Sequence, residues 1–466
     1  MKALGDIIGT IGLEVHIQLK TVSKLFCGCP TTASAPNQAL CPTCLGLPGG
    51  KPVLNKKALD CALKLATALN CIIPKVSYFS RKTYFYPDLV KNYQITQFEY
   101  PLAEKGIIQV KGKPITIRRI QLEEDPGSLI HDNGIEQSEY VFIDYNRSGI
   151  PLIELVTDPV FTSSAEVYEF LQKLISILEY IDIYDPKNFT VRVDANVSIE
   201  KGQRVEIKNI TGFKAIRQAI DFEIIRQRDL LAHNLQIDHE TRHYDQETGN
   251  TITLRKKETE EEYGYIFDPD LPKIVIDDRY HEEIRKQMPE LAEQRAKRLS
   301  QQYAISIYNA TILTSEKALA DMFEEIIKTI NKDIAIKWLI GPLKKIMNYN
   351  SLAVSETKLT AKHMVDFLTM VKEGEITSRM GDLLLRELVL HPQDPRIFAQ
   401  KLNFKKVTNL EEVIDQVLLQ HKQALDDVRN GKEKAFHFLL GEIMKLTGQK
   451  ADIKKATELL KKKIIY

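Results

Sequence analysis

The 466-residue sequence predicts an α+β fold, an antiparallel sheet with one apolar and one polar face, followed by a region built of helices alone. Three observations predict it. Residues 11–20, IGLEVHIQLK, place Ile11, Leu13, Val15, Ile17 and Leu19 at every second position, the period of a strand with one face buried. Strand-like and helix-like segments then alternate irregularly to about Asp278, with the half-buried strands that antiparallel sheets use. From about His281 strand signals vanish. A chain of this length exceeds one ordinary core, so two or three domains are expected, and we divide it at 1–292, 293–405 and 406–466. The formal net charge of +1 excludes a global basic field for nucleic acid. No apolar run reaches the ~18 residues of a membrane span. Strand-like sequence starts within about the first ten residues, too early for a leader, so a cytoplasmic enzyme or assembly component without a membrane partner is expected.

The first strand sets Glu14 and His16 on its polar face. VRVDANVSIE repeats the device with Arg192, Asp194, Asn196 and Ser198, and RVEIKNI with Glu206 and Lys208. A merely solvated strand face carries Lys, Thr and scattered Glu, whereas this mixture suits a divalent cation and a phosphorylated substrate. Six cysteines in so long a chain are no disulfide framework. Cys27, Cys29, Cys41 and Cys44 form a CxC and a CPTC pair, the spacing of a four-thiolate zinc site; the plain alternative is four reduced thiols in a turn-rich loop. Cys61 falls in a helical stripe with Leu59, Ala62, Leu63, Ala66 and Leu69, so it and Cys71 are expected to be inert packing residues.

The next stretch, SRKTYFYPDLVKNYQITQFEYPL, is aromatic and aperiodic. With Arg81, Lys82, Asp88 and Lys91 it suits a pocket for a nucleotide or a flexible substrate end, or else a satellite core under a long loop. ITIRRIQLEEDPG predicts a strand ending in a turn at Pro126-Gly127, with Glu123, Glu124 and Asp125 at its end. More strand-like sequence surrounds NRSGIP between Tyr140 and Thr157. Ser163 with Glu166 is a capping-box signature for a helix whose apolar face includes Val167, Phe170, Leu174 and Leu178. A later helix carries Phe213, Ile216, Ile220 and Ile224. In the helical third, breaks are expected near Gly341-Pro342, Gly374, Pro392 and Gly431. Three amphipathic segments end the chain, around Ile414, Leu439 and Ala456, separated by Gly431 and Gly448. Lys450, Lys454, Lys455, Lys461, Lys462 and Lys463 make this end basic, either as a solvated face or for RNA phosphates.

No GxxxxGK[ST] loop, helix-opening GxGxxG or GxSxG elbow occurs, which argues against P-loop, Rossmann and α/β-hydrolase sites. The carboxylates would then work through Mg²⁺, which takes oxygen ligands. Glu14, Glu123 or Glu124, and Glu206 could supply them, with His16 as a nitrogen ligand or an orienting neighbour.

GLEVHIQL, RKTYFYPDLVKNYQITQ, LEEDPG, NRSGIPLIELV, VRVDANVSI, EIKN, ETRHYD and DPDLP occur in the order that marks the B subunits of the tRNA-dependent amidotransferases, the GatB family, and the C-terminal GEIMKLTGQKAD is similar to that family's tail. The resemblance spans essentially the whole chain and is closer to the bacterial type. It implies a catalytic cradle resembling the glutamine synthetase catalytic fold, an all-α helical domain and a small tRNA-binding tail domain. It also implies ATP-dependent phosphorylation of the side-chain carboxylate on Glu-tRNA(Gln) or Asp-tRNA(Asn), then amidation with ammonia from a partner amidase. That amidase (the family's A subunit) and the small C subunit would be partners, with ATP, Mg²⁺ and zinc as cofactors. Carried over, the Mg²⁺ residues are Glu14, His16, Glu123, Glu124 and Glu206. Of these Glu14, His16, Glu124 and Glu206 are expected to act in catalysis together with Lys208. Arg81, Lys82, Tyr84, Arg192, Asp194 and Asn196 are assigned to the nucleotide. The chain departs from the family at Gln121, where a His is usual, at Gly264 and Phe267, where an Arg and a Pro are usual, and in NITGF after Glu206. Two other readings exist, a zinc-containing RNA-binding protein without catalysis and a self-sufficient glutamine-dependent enzyme. The first does not require Glu and His on matched strand faces, and the second lacks a nucleophile for hydrolysing glutamine.

Overall fold

The computed structural model describes residues 9–130, 140–199, 202–256, 264–350, 352–402, 409–447, 451 and 453–465. In chain order come β1 (Gly9–Gln18), α1 (Lys56–Ala68), the short strands β2 (Val76–Ser77), β3 (Ser80–Thr83) and β4 (Tyr93–Thr96), then β5 (Ala103–Val110) and β6 (Lys113–Glu124). β7 (Ser128–Ile130) pairs with β8 (Phe142–Asp144). β9 (Pro151–Thr157), α2 (Ser164–Tyr180), β10 (Val191–Ile199), β11 (Val205–Thr211), α3 (Phe213–Ala232), β12 (Glu240–Asp245) and β13 (Asn250–Lys256) follow. β14 (Gly264–Phe267), β15 (Ile274–Val275) and α4 (Asp278–Lys286) complete the first of two compact units, which divide at Leu291/Ala292.

β1 lies inside an eight-stranded sheet ordered β13-β12-β11-β10-β1-β9-β6-β5, antiparallel except between β11 and β12, which α3 links as a parallel crossover. The predicted alternation holds: Ile11, Leu13, Val15 and Ile17 are buried, and the apolar face they share with Val193, Val197, Ile153 and Leu155 is covered by α1, α2 and α3. Fully burying one such side chain stabilises by about 1.5–3 kcal/mol, which fixes which face turns inward. α1 starts at Asn55, whose side chain accepts from the Lys57 and Ala58 N–H groups. α2 starts at Ser163, which accepts from Glu166 N. The other half of the predicted capping box differs, because the Glu166 carboxylate reaches back to Thr162 N at 2.8 Å and is held there by Lys113 at 2.7 Å.

Two bulges decide which residues occupy the polar face. In β6, Ile117 pairs with Thr157 and Arg119 with Val156, so Arg118 is an extra residue. Ile115 and Ile117 are buried before it and Ile120 and Leu122 after it, a change of parity that turns Arg119, Gln121 and Glu123 to the polar side. In β11, Val193 and Ala195 face Ile210 and Ile207, and the extra residue is accommodated at Asn209, with φ +55°. A small sheet, β14-β3-β4, sets its strand β4 beside the end of β6.

Among its described residues the second unit contains helices and no strand, as the α+β reading expects. α5 (Ala292–Tyr303), α6 (Ile307–Thr314), α7 (Lys317–Ile326), α8 (Lys332–Trp338), α9 (Lys344–Asn350), α10 (Ala361–Lys372), α11 (Ser378–Leu390) and α12 (Pro395–Lys401) enclose a core around Trp338, Phe323 and Phe367. The break expected at Gly341-Pro342 is a π-helical turn, Leu339–Leu343, that joins α8 to α9, since Pro342 removes a donor without ending the helix. A separate cluster of Ile414, Val417, Leu439, Ile443, Ala456 and Leu460 holds α13 (Leu410–Gln420), α14 (Lys422–Arg429), α15 (Glu433–Leu446) and α16 (Ile453–Ile465) together. Three segments were expected there; the fourth helix, α14, buries no residue fully and meets the cluster only through half-buried Ala424 and Val428. Lys463 is paired with Asp415 at 2.5 Å and Lys461 lies over the Phe436 ring. Gly448, Lys450, the Lys454 side chain and the 405/406 boundary lie outside the described residues. Among those described, no helix is long and apolar enough to cross a membrane.

Candidate active site

Directly opposed residues of neighbouring strands point to the same side of a sheet, so register arranges the polar face in rows. One row runs Arg119, Val156, Glu14, Asp194 across β6, β9, β1 and β10; the next runs Gln121, Glu154, His16, Arg192; a third begins Glu123, Leu152, Gln18. Beyond β10, Asn196 opposes Glu206 and Glu206 opposes Thr241. The rows gather two groups of possible cation ligands. His16, Glu123 and Glu154 form one and Glu14, Asp194 and Glu206 the other, each with its ligand atoms within 4.8 Å of one another.

Their electrostatics favour a cation. Loss of hydration, with Glu154, Asp194 and Glu206 nearby, raises Glu14 to about 7. Glu123 is raised to about 7 by burial and by Glu154, although Thr96 and Gln94 both donate to it. Burial opposes the charge on Glu154 and His16, but their contact at 3.5 Å outweighs it, holding Glu154 low and His16 high. Burial likewise opposes the charge on Lys82, and Tyr265, Glu123 and Glu154 outweigh it, so the ammonium stays charged above the carboxylates. Asn196 donates to Glu14 at 3.3 Å, yet its buried Oδ1 has no partner among the described residues, and neither has the buried Oε1 of Gln121 opposite Glu154. Crowded carboxylates, one imidazole and idle amide oxygens fit a hard, oxygen-seeking cation such as Mg²⁺. At the group that contains His16, such a cation would exchange with the imidazole proton.

The expected residues divide. Glu14, His16, Glu123, Asp194, Asn196 and Glu206 are brought together on one face, with Lys208 Nζ 3.9 Å from Glu206 Oε1. Glu124 is not with them. Next in sequence to Glu123, it takes the opposite side of the strand, where Lys91 donates to both its oxygens at 2.6 and 2.8 Å and Ile95 N donates at 2.9 Å. Arg192 reaches across to the buried Asp125 at 2.6 Å, which Gln18 also holds. Arg81 stacks on Tyr93 and pairs with Asp268 and Asp270 at 2.8 and 2.9 Å, bracing the small sheet. Tyr84 lies beside Lys82, its ring 5.7 Å from Nζ. Gly264 starts β14 opposite Thr83. Glu154 is the residue that the sequence reading passed over. Its strand, PLIELVT, is buried at every position, and a lone carboxylate inside such a run was the available signal.

The four cysteines of the loop converge, their sulfurs within 4.8 Å of one another. Tetrahedral zinc at about 2.3 Å sets sulfurs about 3.8 Å apart, so the quartet needs only a slight contraction to fit. Lys24, wholly buried, places Nζ 3.9 Å from Cys44 Sγ, where its charge offsets part of the thiolates'. The hydrogen bond with Cys27 draws Cys44 down to about 5 against burial, and pushes Cys27 up. Cys27 and Cys44 also line a cavity of about 320 Å³ with Arg81, Lys91 and Glu124.

Residues 9–282 match the GatB/GatE catalytic domain family, and residues 321–464 match the GatB domain family. The chain is 39% identical over 471 residues to the B subunit of the aspartyl/glutamyl-tRNA(Asn/Gln) amidotransferase of Carboxydothermus hydrogenoformans, covering 97% of this chain and 98% of the relative. It is 41% identical to the protein of the same description from Saccharolobus solfataricus, covering 97% and 99%. The corresponding figures for Sulfurisphaera tokodaii are 42%, 97% and 98%.

Proposed function

Because the chain belongs to the GatB family, the B subunits of tRNA-dependent amidotransferases, we propose that it phosphorylates the side-chain carboxylate of Glu-tRNA(Gln) or Asp-tRNA(Asn) with ATP and converts the acyl phosphate to the amide. The observation that carries the reading is the polar face itself: Glu14, Asp194 and Glu206 beside His16, Glu123 and Glu154, on adjacent strands of one sheet. A carboxylate is a poor acyl electrophile, since ammonia would have to expel oxide; phosphorylation supplies a phosphate leaving group. Mg²⁺ held by Glu14, Asp194 and Glu206 would neutralise charge on the transferring phosphoryl group. Lys82, kept cationic, adds positive charge on the same side. Glu123, fixed by Thr96 and Gln94, is favoured over Glu124, whose oxygens are committed to Lys91. The zinc-containing RNA-binding alternative gives no role to these crowded carboxylates.

The test is ATP consumption by the purified chain with each misacylated tRNA. Turnover is expected only with such a tRNA, and tRNA-independent hydrolysis at the same rate would overturn the reading. Membership among the B subunits implies other subunits. We assign the ammonia supply to a separate amidase and a small bridging protein, because free ammonia competes poorly with water for a labile acyl phosphate. In the same assay the chain alone should amidate with high ammonium and not with glutamine until those partners are added. Removing residues 407–466 should raise the KM for tRNA and lower its salt dependence, and an unaltered salt slope would make the tail an ordinary solvated bundle.

We assign the cysteine quartet to structural zinc. Elemental analysis should find about one zinc per chain, and Cys41→Ser should lower melting by several degrees while sparing chemistry at saturating substrates, since a four-thiolate site has no open coordination position. An unchanged melting temperature together with a metal-free wild-type chain would refute the assignment.

A further inference from the structure

The bulge that turns Glu123 to the polar face also delivers Arg119, a residue with no role in the account above. Arg119 stands in the row Arg119, Val156, Glu14, Asp194. Two strand spacings, about 10 Å, separate its strand from that of Glu14, and Val156 forms the floor between them, 8% exposed. The guanidinium is under-used. Its Nη2 lies 3.8 Å from Glu154 Oε1, beyond hydrogen-bond length, while His16 stands against the other oxygen of that carboxylate. Its Nε is shielded from solvent and has no partner among the described residues. Its guanidinium carbon also lies 5.9 Å from the ring centre of Phe98, which is stacked on Tyr265 at 4.0 Å, so the head group has aromatic rings as well as a carboxylate for neighbours.

A shielded, idle N–H on arginine costs free energy unless an acceptor meets it, and the planar fork of guanidinium N–H groups matches phosphate oxygens in pairs. We propose that Arg119 holds the transferring phosphoryl group of ATP, across Val156 from Glu14, Asp194 and Glu206. In this step a carboxylate oxygen of the misacylated residue supplies the electron pair for the new P–O bond. The bond from the γ-phosphorus to the β–γ bridging oxygen breaks, and its pair leaves on ADP. Arg119 donates hydrogen bonds to peripheral phosphoryl oxygens, and no proton is transferred.

The proposal rests on the phosphoryl-transfer reading of this face, and nucleotide binding separates the two. Calorimetry on the full-length chain would measure ADP and the non-hydrolysable analogue AMP-PNP, each with Mg²⁺, in wild type, Arg119→Gln and Arg119→Lys. A contact to the transferred group predicts that Arg119→Gln weakens AMP-PNP about ten- to hundredfold while moving ADP little, the size of a charge-assisted hydrogen bond. Arg119→Lys should fall between, and it carries the test if the glutamine variant fails to fold. Equal losses for both nucleotides, or none, would make Arg119 a mere screen for Glu154 and overturn the proposal. A wild-type chain that binds neither nucleotide removes the underlying reading and the proposal together.

Discussion

Glu14→Gln should lower tRNA-dependent ATP turnover by about a thousandfold, the rate equivalent of several kcal/mol of lost metal-centred stabilisation, while the chain folds as well as before or better. The second half of the expectation follows from charge. Glu14 is raised to about 7, first by loss of hydration and then by its acidic neighbours, so without a cation its ionised form is unfavourable in the folded state. A carboxyl whose folded pKa lies above its unfolded value contributes stability that is present at low pH and lost as pH rises through the folded pKa. In chelator, the melting temperature of Glu14→Gln should therefore gain on wild type as pH rises from about 5 to about 8. Added Mg²⁺ should raise the wild type and leave the variant nearly unmoved. Wild-type turnover by Glu14→Gln would remove Glu14 from the metal centre, and a pH-independent melting difference would remove the crowding argument.

Deleting Arg118 should unfold the first unit, although replacing it should do almost nothing. The side chain is exposed and pairs only with Asp158, at 2.9 Å, among the described residues, so Arg118→Ala should change stability by about 0.5 kcal/mol or less. The backbone position is another matter. Without the extra residue, pairing with β9 continues in one parity, and either Ile115 and Ile117 leave the core or Arg119, Gln121 and Glu123 enter it. A buried charge stripped of its partners costs about 3–5 kcal/mol, and two are at stake. Circular dichroism melts of the two variants decide the matter; a deletion variant that melts with the substitution would mean that the bulge does not set the face.

The parity change lies in ITIRRIQLEE, where the apolar positions run Ile115, Ile117, Ile120, Leu122, a signal left unused when both Glu123 and Glu124 were kept. It decides between Glu123 and Glu124, which composition alone leaves equivalent. Glu14, His16, Asp194 and Glu206 were legible because each stands in a strand with clean alternation, where period two assigns the face directly. Glu154 and Arg119 were not, since one sits in an unbroken apolar run and the other beside the bulge. Arg81 and Arg192 were assigned to the nucleotide on their faces and surroundings; sequence cannot reveal that Asp268, Asp270 and Asp125 stand within reach, because those pairings join residues far apart in the chain. The α+β class and the helical second unit needed only periodicity. The fourth tail helix needed packing information, because α14 meets the cluster only through half-buried Ala424 and Val428.

The central place of β1 also sets a schedule. Its neighbours in the sheet are β9 and β10, and Leu13 N donates to Thr157 Oγ1 across 144 residues of chain. At roughly 5–20 residues per second, a ribosome takes on the order of ten to thirty seconds to supply the first of those neighbours. For that interval β1 carries Ile11, Leu13, Val15 and Ile17 without either of its sheet neighbours, both of its edges open to pairing with other chains. The segment that carries Glu14 and His16 is thus made long before it is enclosed, and slow synthesis lengthens its exposure rather than easing its folding.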